Sequence, residues 1–286
     1  MRSEIIAIFS AMGWAGDSVL VRLGSRRSNI FAAMVVSYVV SAAAIWSYLL
    51  TNRSLAFLQS PAMIYFLISG CLQPLVARAL FYEGLTRIGV ARAGPLRGSE
   101  PLFAAAIALA FLHERPGPPV YLGTLLIVGS LWLISGAPSD KARWRWVDCA
   151  FPLGAALVSA VSQSLRKQGL NILPDPFVAA GVVTGVSLCL LTLFMLWTGR
   201  TRAVLMPRRS ALFFLLAALL AVTAQILNFV ALGRAEISVI IPLLNTTPLF
   251  NVLFSALFLR ELEQVTPKIA LGAILMVAGV VIITSR

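Results

Sequence analysis

The chain has 286 residues, of which 59% are hydrophobic and only 12% are charged, and its mean hydropathy is +0.90. Soluble domains carry about 25% charged residues, so this composition excludes an ordinary soluble domain and indicates a polytopic membrane protein. The net charge of +12 does not indicate nucleic-acid binding, because the basic residues form short clusters between apolar runs, where anionic lipid headgroups are the expected partners.

Ten apolar segments have the length of a membrane-spanning helix, which needs roughly 20 mostly apolar residues. In chain order they are 4–22, 30–50, 61–82, 89–112, 119–137, 147–169, 176–198, 210–232, 237–259 and 266–284. The connections are short and rich in charge or proline, such as RPGPP at 115–119 and LPDP at 173–176. The sequence thus predicts an all-α integral membrane protein with ten transmembrane helices.

The second half of the chain repeats part of the first. With a shift of 147 residues, 79–114 aligns without a gap with 226–261, and eleven of 36 positions are identical. The informative matches are Arg87/Arg234, Pro95/Pro242, Pro101/Pro248 and Glu114/Glu261. Because each half holds five spans, the second half must enter the membrane in the opposite direction. We expect two inverted five-helix repeats, 1–137 and 147–286, joined by a linker at 138–146, which is a recurring plan of secondary transporters.

The fourth span carries two charges near its middle, Arg97 and Glu100, in GPLRGSEPLF at 94–103. Charge at that depth costs at least a few kcal/mol unless it is paired or hydrated. Pro95 and Pro101 each free a backbone carbonyl, which is tolerated in a membrane where it lines protein or a wet cavity. We predict that this helix face lines a cavity in which Arg97 binds a carboxylate or phosphate. The alternative is an internal Arg97–Glu100 ion pair that only orders the helix packing.

Other polar side chains within the spans extend the predicted substrate-binding site. They are Gln73 and Arg78 in the third span, Gln163 in the sixth, Gln225 and Asn228 in the eighth, and Asn245, Thr246 and Asn251 in the ninth. The helix-kinking prolines are Pro95, Pro101, Pro242 and Pro248. Three of these residues have a structural alternative: Arg78 forms a salt bridge to another span, and Gln225 and Asn228 join helices, at about 0.6 kcal/mol on average.

Two carboxylates are candidates for coupling transport to protons. Asp17 lies in the first span and Glu100 in the fourth, and a buried carboxylate can have a raised pKa. The alternative for Asp17 is an ion pair with an arginine. The only histidine, His113, lies in a loop, so we expect no histidine metal cluster, no catalytic dyad and no cofactor.

Three motifs resemble those of a known family. The first span contains WAGDSVLVR at 14–22, and the segments PLFAAAIALAFLHE (101–114) and PLFNVLFSALFLRE (248–261) each begin with proline and end in Leu-x-Glu. In these features the chain resembles the EamA-type branch of the drug/metabolite transporter superfamily. The resemblance implies ten helices in two inverted halves and a central cavity lined mainly by the first, third, fourth, sixth, eighth and ninth helices, which adds Trp14 to the candidate binding residues. The charges at Arg97 and Glu100 depart from the small neutral residues common in this family.

We therefore expect a secondary transporter that moves a small polar organic solute, anionic or zwitterionic and often exported, by alternating access. The expected location is the bacterial inner membrane, and the expected partners are the solute, the lipid bilayer and protons as coupling ion, with the oligomeric state open. One alternative is a membrane-embedded enzyme acting on lipid-linked substrates, although clustered His/Asp motifs and large interfacial loops are lacking. The other is a non-transporting helical membrane protein, which leaves the charge beside paired prolines unexplained.

The loop charges leave the orientation of the termini open. Seven basic residues are counted on the side of the termini, among them Arg166 and Lys167 near the end of the sixth span, and thirteen on the other side. Arg78, Arg92 and Arg97 are assigned to neither side. The positive-inside rule would place the termini outside the cell, whereas the family resemblance implies that they are cytoplasmic.

Overall fold

Helices form every regular element of the described residues, which are 2–25, 27–88, 96–112, 114–135, 145–199, 204–258 and 267–285 of a computed structural model. The α-helices are α1 (Ser3–Ser25), α2 (Ile30–Asn52), α3 (Ala62–Cys71), α4 (Ala77–Ile88), α5 (Glu100–Phe111), α6 (Pro118–Ser135), α7 (Ala150–Ile172), α8 (Pro176–Trp197), α9 (Arg208–Arg234), α10 (Ile237–Leu244), α11 (Thr247–Phe258) and α12 (Pro267–Thr284). Short 3-10 helices lie at Leu55–Gln59 and Trp146–Cys149. Over the described residues, each predicted span coincides with one helix or with two consecutive helical segments. The number of membrane crossings stays a prediction.

The outer surface of the helices is apolar, as contact with lipid requires. Leu109, Leu193 and Ile274 expose 53%, 61% and 66% of their surface. Four of the described helices, α1, α2, α8 and α9, are long and apolar enough to cross a membrane by themselves. The shorter apolar helices include α3, α5 and α10, each of which adjoins an interruption in its span.

The third span is interrupted, which the sequence analysis did not predict. A π-helical turn at Leu72–Val76 separates α3 from α4, and Gln73 within it has extended backbone angles of φ −121° and ψ 125°. Pro74 explains the interruption, because proline disfavours helical angles in the residue before it and has no N–H to donate. The break brings the polar side chain of Gln73 to mid-span.

The fourth and ninth spans are also broken, at the segments where the sequence predicted kinks. α10 contains Pro242 and ends two residues later, at Leu244. Pro248 is the second residue of α11. Pro101 is likewise the second residue of α5, directly after a turn at Gly98 and Ser99. Proline suits the first turn of a helix because its missing N–H would have no partner there. Pro101 and Pro248 therefore begin new helices, and Pro95 lies outside the described residues.

Helix contacts between the two halves come in matched pairs. α1 packs against α9, and correspondingly α7 packs against α3 and α4. The α2–α9 contact is matched by α8–α3, and the α5–α7 contact by α11–α1. The pairs α6–α12 and α2–α8 map onto themselves when the halves are exchanged, as does the contact between the fourth and ninth spans, which α5 and α10 make. This exchange pattern is the one expected of two repeats related by a two-fold axis.

Glycine permits the closest of these contacts, between α6 and α12. A Cβ atom on Gly123 would lie 2.7 Å from the carbonyl oxygen of Gly279, and a Cβ on Gly279 would lie equally close to the carbonyl of Gly123. Small residues at helix interfaces allow such backbone approach within membranes. The two helices therefore pack backbone to backbone at this point.

Candidate functional site

A cavity of about 860 Å³ lies between the two halves, within the range of small-molecule sites. Both halves contribute to its wall, including both sides of the broken ninth span. Nine of the predicted binding residues line it: Trp14, Asp17, Gln73, Arg97, Glu100, Gln163, Gln225, Asn228 and Asn245. Further polar residues that were not predicted from the sequence also line it: Ser18, Ser37, Tyr38, Ser41, Arg166 and Ser187.

The other three predicted binding residues are not in the described cavity wall. Thr246 is 1% exposed and its hydroxyl donates to the Leu243 carbonyl at 2.7 Å, so it closes the end of α10. Asn251 lies further along α11, where its Oδ1 is buried and has no hydrogen-bond partner in the described part of the chain. The side chain of Arg78 lies outside the described residues. Among the predicted prolines, Pro248 lines the cavity.

Arg97 and Glu100 form an ion pair on the cavity wall. The distance from Arg97 Nη1 to Glu100 Oε2 is 2.7 Å, and the two side chains are 24% and 8% exposed. Arg97 Nη2 also donates to Ser159 Oγ at 2.6 Å, and this hydroxyl accepts from Gln73 Nε2 at 2.8 Å. The geometry thus matches the structural alternative for Arg97, because its charge is compensated by Glu100.

One face of α7 supplies four buried polar residues at the site. Ser159, Ser162, Gln163 and Arg166 follow the i, i+3, i+4, i+7 spacing that places residues on one helix face. The sequence predicts Gln163 as a substrate-binding residue but places Arg166 among the loop charges. That assignment is wrong, because Arg166 is only 8% exposed and lines the cavity. The polar spacing along α7 is the sequence signal that would have revealed it.

The Arg166 guanidinium is held by neutral partners. Its Nε donates to Ser69 Oγ at 2.8 Å and its Nη1 donates to Gln163 Oε1 at 3.2 Å. The guanidinium carbon lies 5.3 Å from the ring centroid of Phe229, a cation–π distance. Ser69 Oγ is also hydrogen-bonded to Ser162 Oγ at 2.9 Å. This network fixes the orientation of the guanidinium from both halves of the protein.

Lys167, the neighbour of Arg166, is also placed among the loop charges by the sequence. In the structure it joins two helices. Its Nζ donates at 2.8 Å to the carbonyls of Leu232 and Ala235, at the C-terminal end of α9. The last carbonyls of a helix lack partners within the helix, and a cation there also interacts favourably with the helix dipole. Lys167 thus ties α7 to the end of α9.

The eighth and ninth spans form a wall of amides. Gln225 Nε2 donates to Thr184 Oγ1 at 2.6 Å, and Asn245 Nδ2 donates to the Ile241 carbonyl at 2.9 Å. Asn228 is 6% exposed, and its Oδ1 has no hydrogen-bond partner among the residues that the structure describes. An unpaired buried acceptor costs about 1–3 kcal/mol, so Asn228 is the amide of this wall whose hydrogen bonding is incomplete.

Asp17 lines the cavity from α1, and it has an interaction partner within the protein. Within the described ranges, no group of three or more His, Cys, Asp or Glu side chains comes close enough to hold a metal ion.

An all-helical protein with an apolar exterior and a polar cavity between two matched halves belongs to the class of polytopic membrane proteins built around a central cavity. A family model described as the EamA-like transporter family matches residues 1–136 and 146–285. The chain belongs to this family, so the resemblance in the sequence motifs is confirmed. The match also spans two repeats of the chain, and it identifies an integral membrane protein of a transporter family.

The fold is shared with solved structures. One, described as "Crystal structure of protein", matches with a TM-score of 0.78 and covers 100% of this chain and 98% of its own, at 14% sequence identity. At that identity the likeness concerns the fold alone. No curated protein matches the sequence.

Proposed function

We propose that this protein is a secondary transporter that moves a small polar organic solute, anionic or zwitterionic, by alternating access through the central cavity. The observation that carries the proposal is the cavity of about 860 Å³ that both halves line with polar side chains. Burying polar side chains between apolar helices costs solvation free energy, and binding a polar solute gives those that line the cavity a role.

In the proposed topology of ten alternating spans, both termini lie on one side of the membrane, here called the terminal side. The lining residues of α1 run from Trp14 to Val21 and those of α2 from Ala33 to Ser41. These positions occupy the half of each helix that is nearer to the loop joining α1 and α2. The cavity therefore opens toward the side opposite the termini.

Contacts between the halves close the terminal side in this arrangement. The Glu114 carboxylate accepts from the backbone N–H groups of Ile237 and Ser238, and Arg53 Nε lies 2.8 Å from Asp175 Oδ2. Each contact joins the first half to the second. Such contacts would have to break for the cavity to open toward the termini.

The matched helix contacts support a second, opposite state. Exchanging the roles of two similar halves converts an arrangement open on one side into one open on the other, at little difference in free energy. We propose 1–137 and 147–286 as these inverted repeats, with 138–146 as linker. We also propose proton coupling through Asp17 or Glu100, and a location in the bacterial inner membrane.

The experiment that tests the proposal is solute counterflow in proteoliposomes containing the full chain. A panel of amino acids, organic acids, phosphorylated metabolites and drugs is offered, and mass spectrometry checks that the transported solute is chemically unchanged. We expect exchange of at least one polar solute. A chemically altered product would favour the enzyme alternative, and no movement of any solute would contradict the proposal.

A matched pair of variants separates transport from leakage. Ser37 lines the cavity from α2, whereas Ser47 is exposed on the same helix. Ser37→Trp should fill part of the chamber and abolish counterflow, and Ser47→Trp should leave it within about twofold of wild type because surface substitutions have small effects. Equal counterflow in both variants would mean that the solute does not pass through this cavity.

A further inference from the structure

We infer that Arg166, rather than Arg97, binds the solute, and that the group it binds is a carboxylate. The inference rests on the proposed transport function and specifies its substrate class. It starts from the charge balance of the cavity wall, in which the two arginines have different surroundings.

Arg166 is a buried cation that donates a hydrogen bond to no carboxylate in the described part of the chain, and Glu100 interacts with it only through space. A guanidinium has five N–H donors in a planar fork. Two of those of Arg166 are used, by Ser69 and Gln163, so three are left without an acceptor among the described residues. Burying a charge is unfavourable unless its donors are satisfied, and an anion in the cavity would supply the missing acceptors.

Arg97 differs because its charge is already compensated. Glu100 accepts from it at 2.7 Å, and Ser159 accepts from a second nitrogen at 2.6 Å. An incoming anion at Arg97 would have to compete with the covalently tethered Glu100 carboxylate. At Arg166 the anion would replace no hydrogen-bonded carboxylate, because both acceptors there are neutral, so the same anion gains more hydrogen bonding there.

The surroundings of Arg166 also orient its guanidinium group before the solute binds. Ser69 comes from α3 in the first half, while Gln163 and Phe229 come from α7 and α9 in the second half. A donor set fixed in advance binds an anion without a further cost of ordering. Because the partners of Arg166 come from both halves, a solute bound here lies on the interface that alternating access rearranges.

The charge at the site favours a monoanion. The described cavity wall carries two arginines, Arg97 and Arg166, and two carboxylates, Asp17 and Glu100, so its formal charges balance. Arg166 therefore offers one guanidinium, and the described wall has no surplus of positive charge. A carboxylate matches that guanidinium in charge and in its bidentate geometry, whereas a phosphate carries an additional negative charge that Arg166 alone does not balance. Asn228, which precedes Phe229 on α9 and has an unpaired Oδ1, would accept from a hydroxyl or amino group of the same solute.

The test compares carboxylates with their primary amides, which have nearly the same shape but lack the negative charge. The probes are L-lactate, L-leucine, hexanoate and benzoate, each with its amide, together with inorganic phosphate. Binding to the detergent-purified full chain is measured by calorimetry and thermal shift. We expect at least one carboxylate to bind at least about tenfold more tightly than its amide, the factor that a charge-assisted hydrogen bond supplies.

Two variants remove the anion site in different ways. Arg166→Gln deletes the charge, and Gln163→Glu places a carboxylate where the structure has an acceptor 3.2 Å from Arg166 Nη1, so the cation is neutralised but retained. In both variants the ratio of the affinity for the carboxylate to that for its amide should fall by about tenfold or more. Gln163→Glu pairs a buried charge and keeps the test usable if Arg166→Gln fails to fold. The matched control is Arg87→Gln, since Arg87 is 45% exposed and outside the described cavity wall.

The outcomes separate this inference from the proposed function. A carboxylate preference that persists in both variants, a preference for phosphate, or no preference for any carboxylate would each overturn the role of Arg166. Counterflow of neutral solutes in the wild-type protein would then still support a transporter. If no solute of any class moves, the proposed function itself fails.

Discussion

The carboxylate of Glu114 accepts two hydrogen bonds from Ser238: its Oε2 accepts from the Ser238 backbone N–H at 3.2 Å and from the Ser238 hydroxyl at 2.8 Å. Oε1 also accepts from the Ile237 N–H at 2.9 Å. Glu114 follows α5 in the first half, while Ile237 begins α10 in the second. The first half therefore caps a helix of the second with a negative charge at the positive end of the helix dipole.

Replacing Glu114 with Gln should weaken this cap. The amide can accept through one oxygen only, so at least one backbone N–H of α10 loses its partner. Loss of a helix cap costs about 1 kcal/mol, and we expect the melting temperature in detergent to fall by a few degrees. If the cap closes the terminal side of the cavity, the variant should also react faster with a thiol reagent added from that side, at a cysteine placed at Ser187 in a background without native cysteines.

The matched control for Glu114→Gln is Glu83→Gln. Glu83 pairs with Arg87 in an i, i+4 arrangement, and both side chains are nearly half exposed. Exposed pairs contribute about 0–1 kcal/mol, so this variant should change the melting temperature little. An effect of Glu114→Gln no larger than that of Glu83→Gln would show that the cap does not stabilise the interface between the halves.

The Arg97–Glu100 pair should behave as one unit in a double-mutant cycle. Arg97→Gln and Glu100→Gln each leave a buried charge without its partner, and breaking a buried pair costs about 3–5 kcal/mol. The double variant removes both charges, so it should be more stable than the sum of the single effects predicts. Chemical unfolding of the three variants measures the coupling, and strictly additive effects would mean that the ion pair does not form in the membrane protein.

Proton coupling through Asp17 or Glu100 makes a separate prediction. Replacing the coupling carboxylate with its amide should abolish accumulation driven by a pH gradient, while solute exchange without a gradient continues, because the amide cannot take up a proton. Asp17→Asn and Glu100→Gln are compared in proteoliposomes. Retention of full gradient dependence in both variants would exclude both carboxylates as the coupling site.

The close approach of α6 and α12 predicts that alanine substitutions at two glycines of α6 have different effects on stability. Gly123→Ala places a Cβ atom 2.7 Å from the Gly279 carbonyl oxygen, whereas a Cβ on Gly129 meets nothing within 4 Å. Overpacking costs about 1–3 kcal/mol, so Gly123→Ala should destabilise the protein. Gly129→Ala should be neutral or slightly stabilising because alanine favours helix more than glycine does. Thermal unfolding of both variants tests the α6–α12 packing, and equal stabilities would contradict it.

The positions of the helices could be predicted from the sequence because lipid imposes a length and a polarity on every span. The charge pair at Arg97 and Glu100 and the amides Gln225 and Asn228 were identifiable because polar groups within apolar spans are costly and therefore informative. The family was also identifiable, since the proline-led motif occurs in both halves. The break at Gln73 was missed, although Pro74 marks its position in the sequence.

The sequence by itself determined the class, the helical spans and most of the polar residues of the cavity, since these follow from local hydrophobicity and from residue identity. Only the tertiary structure decided that Arg97 is paired with Glu100 and Ser159 while Arg166 is held by Ser69 and Gln163. The physical reason is that the effect of a buried charge depends on the groups around it. Those groups, such as Ser69 and Arg166, lie 97 residues apart in the chain and meet only when the helices pack.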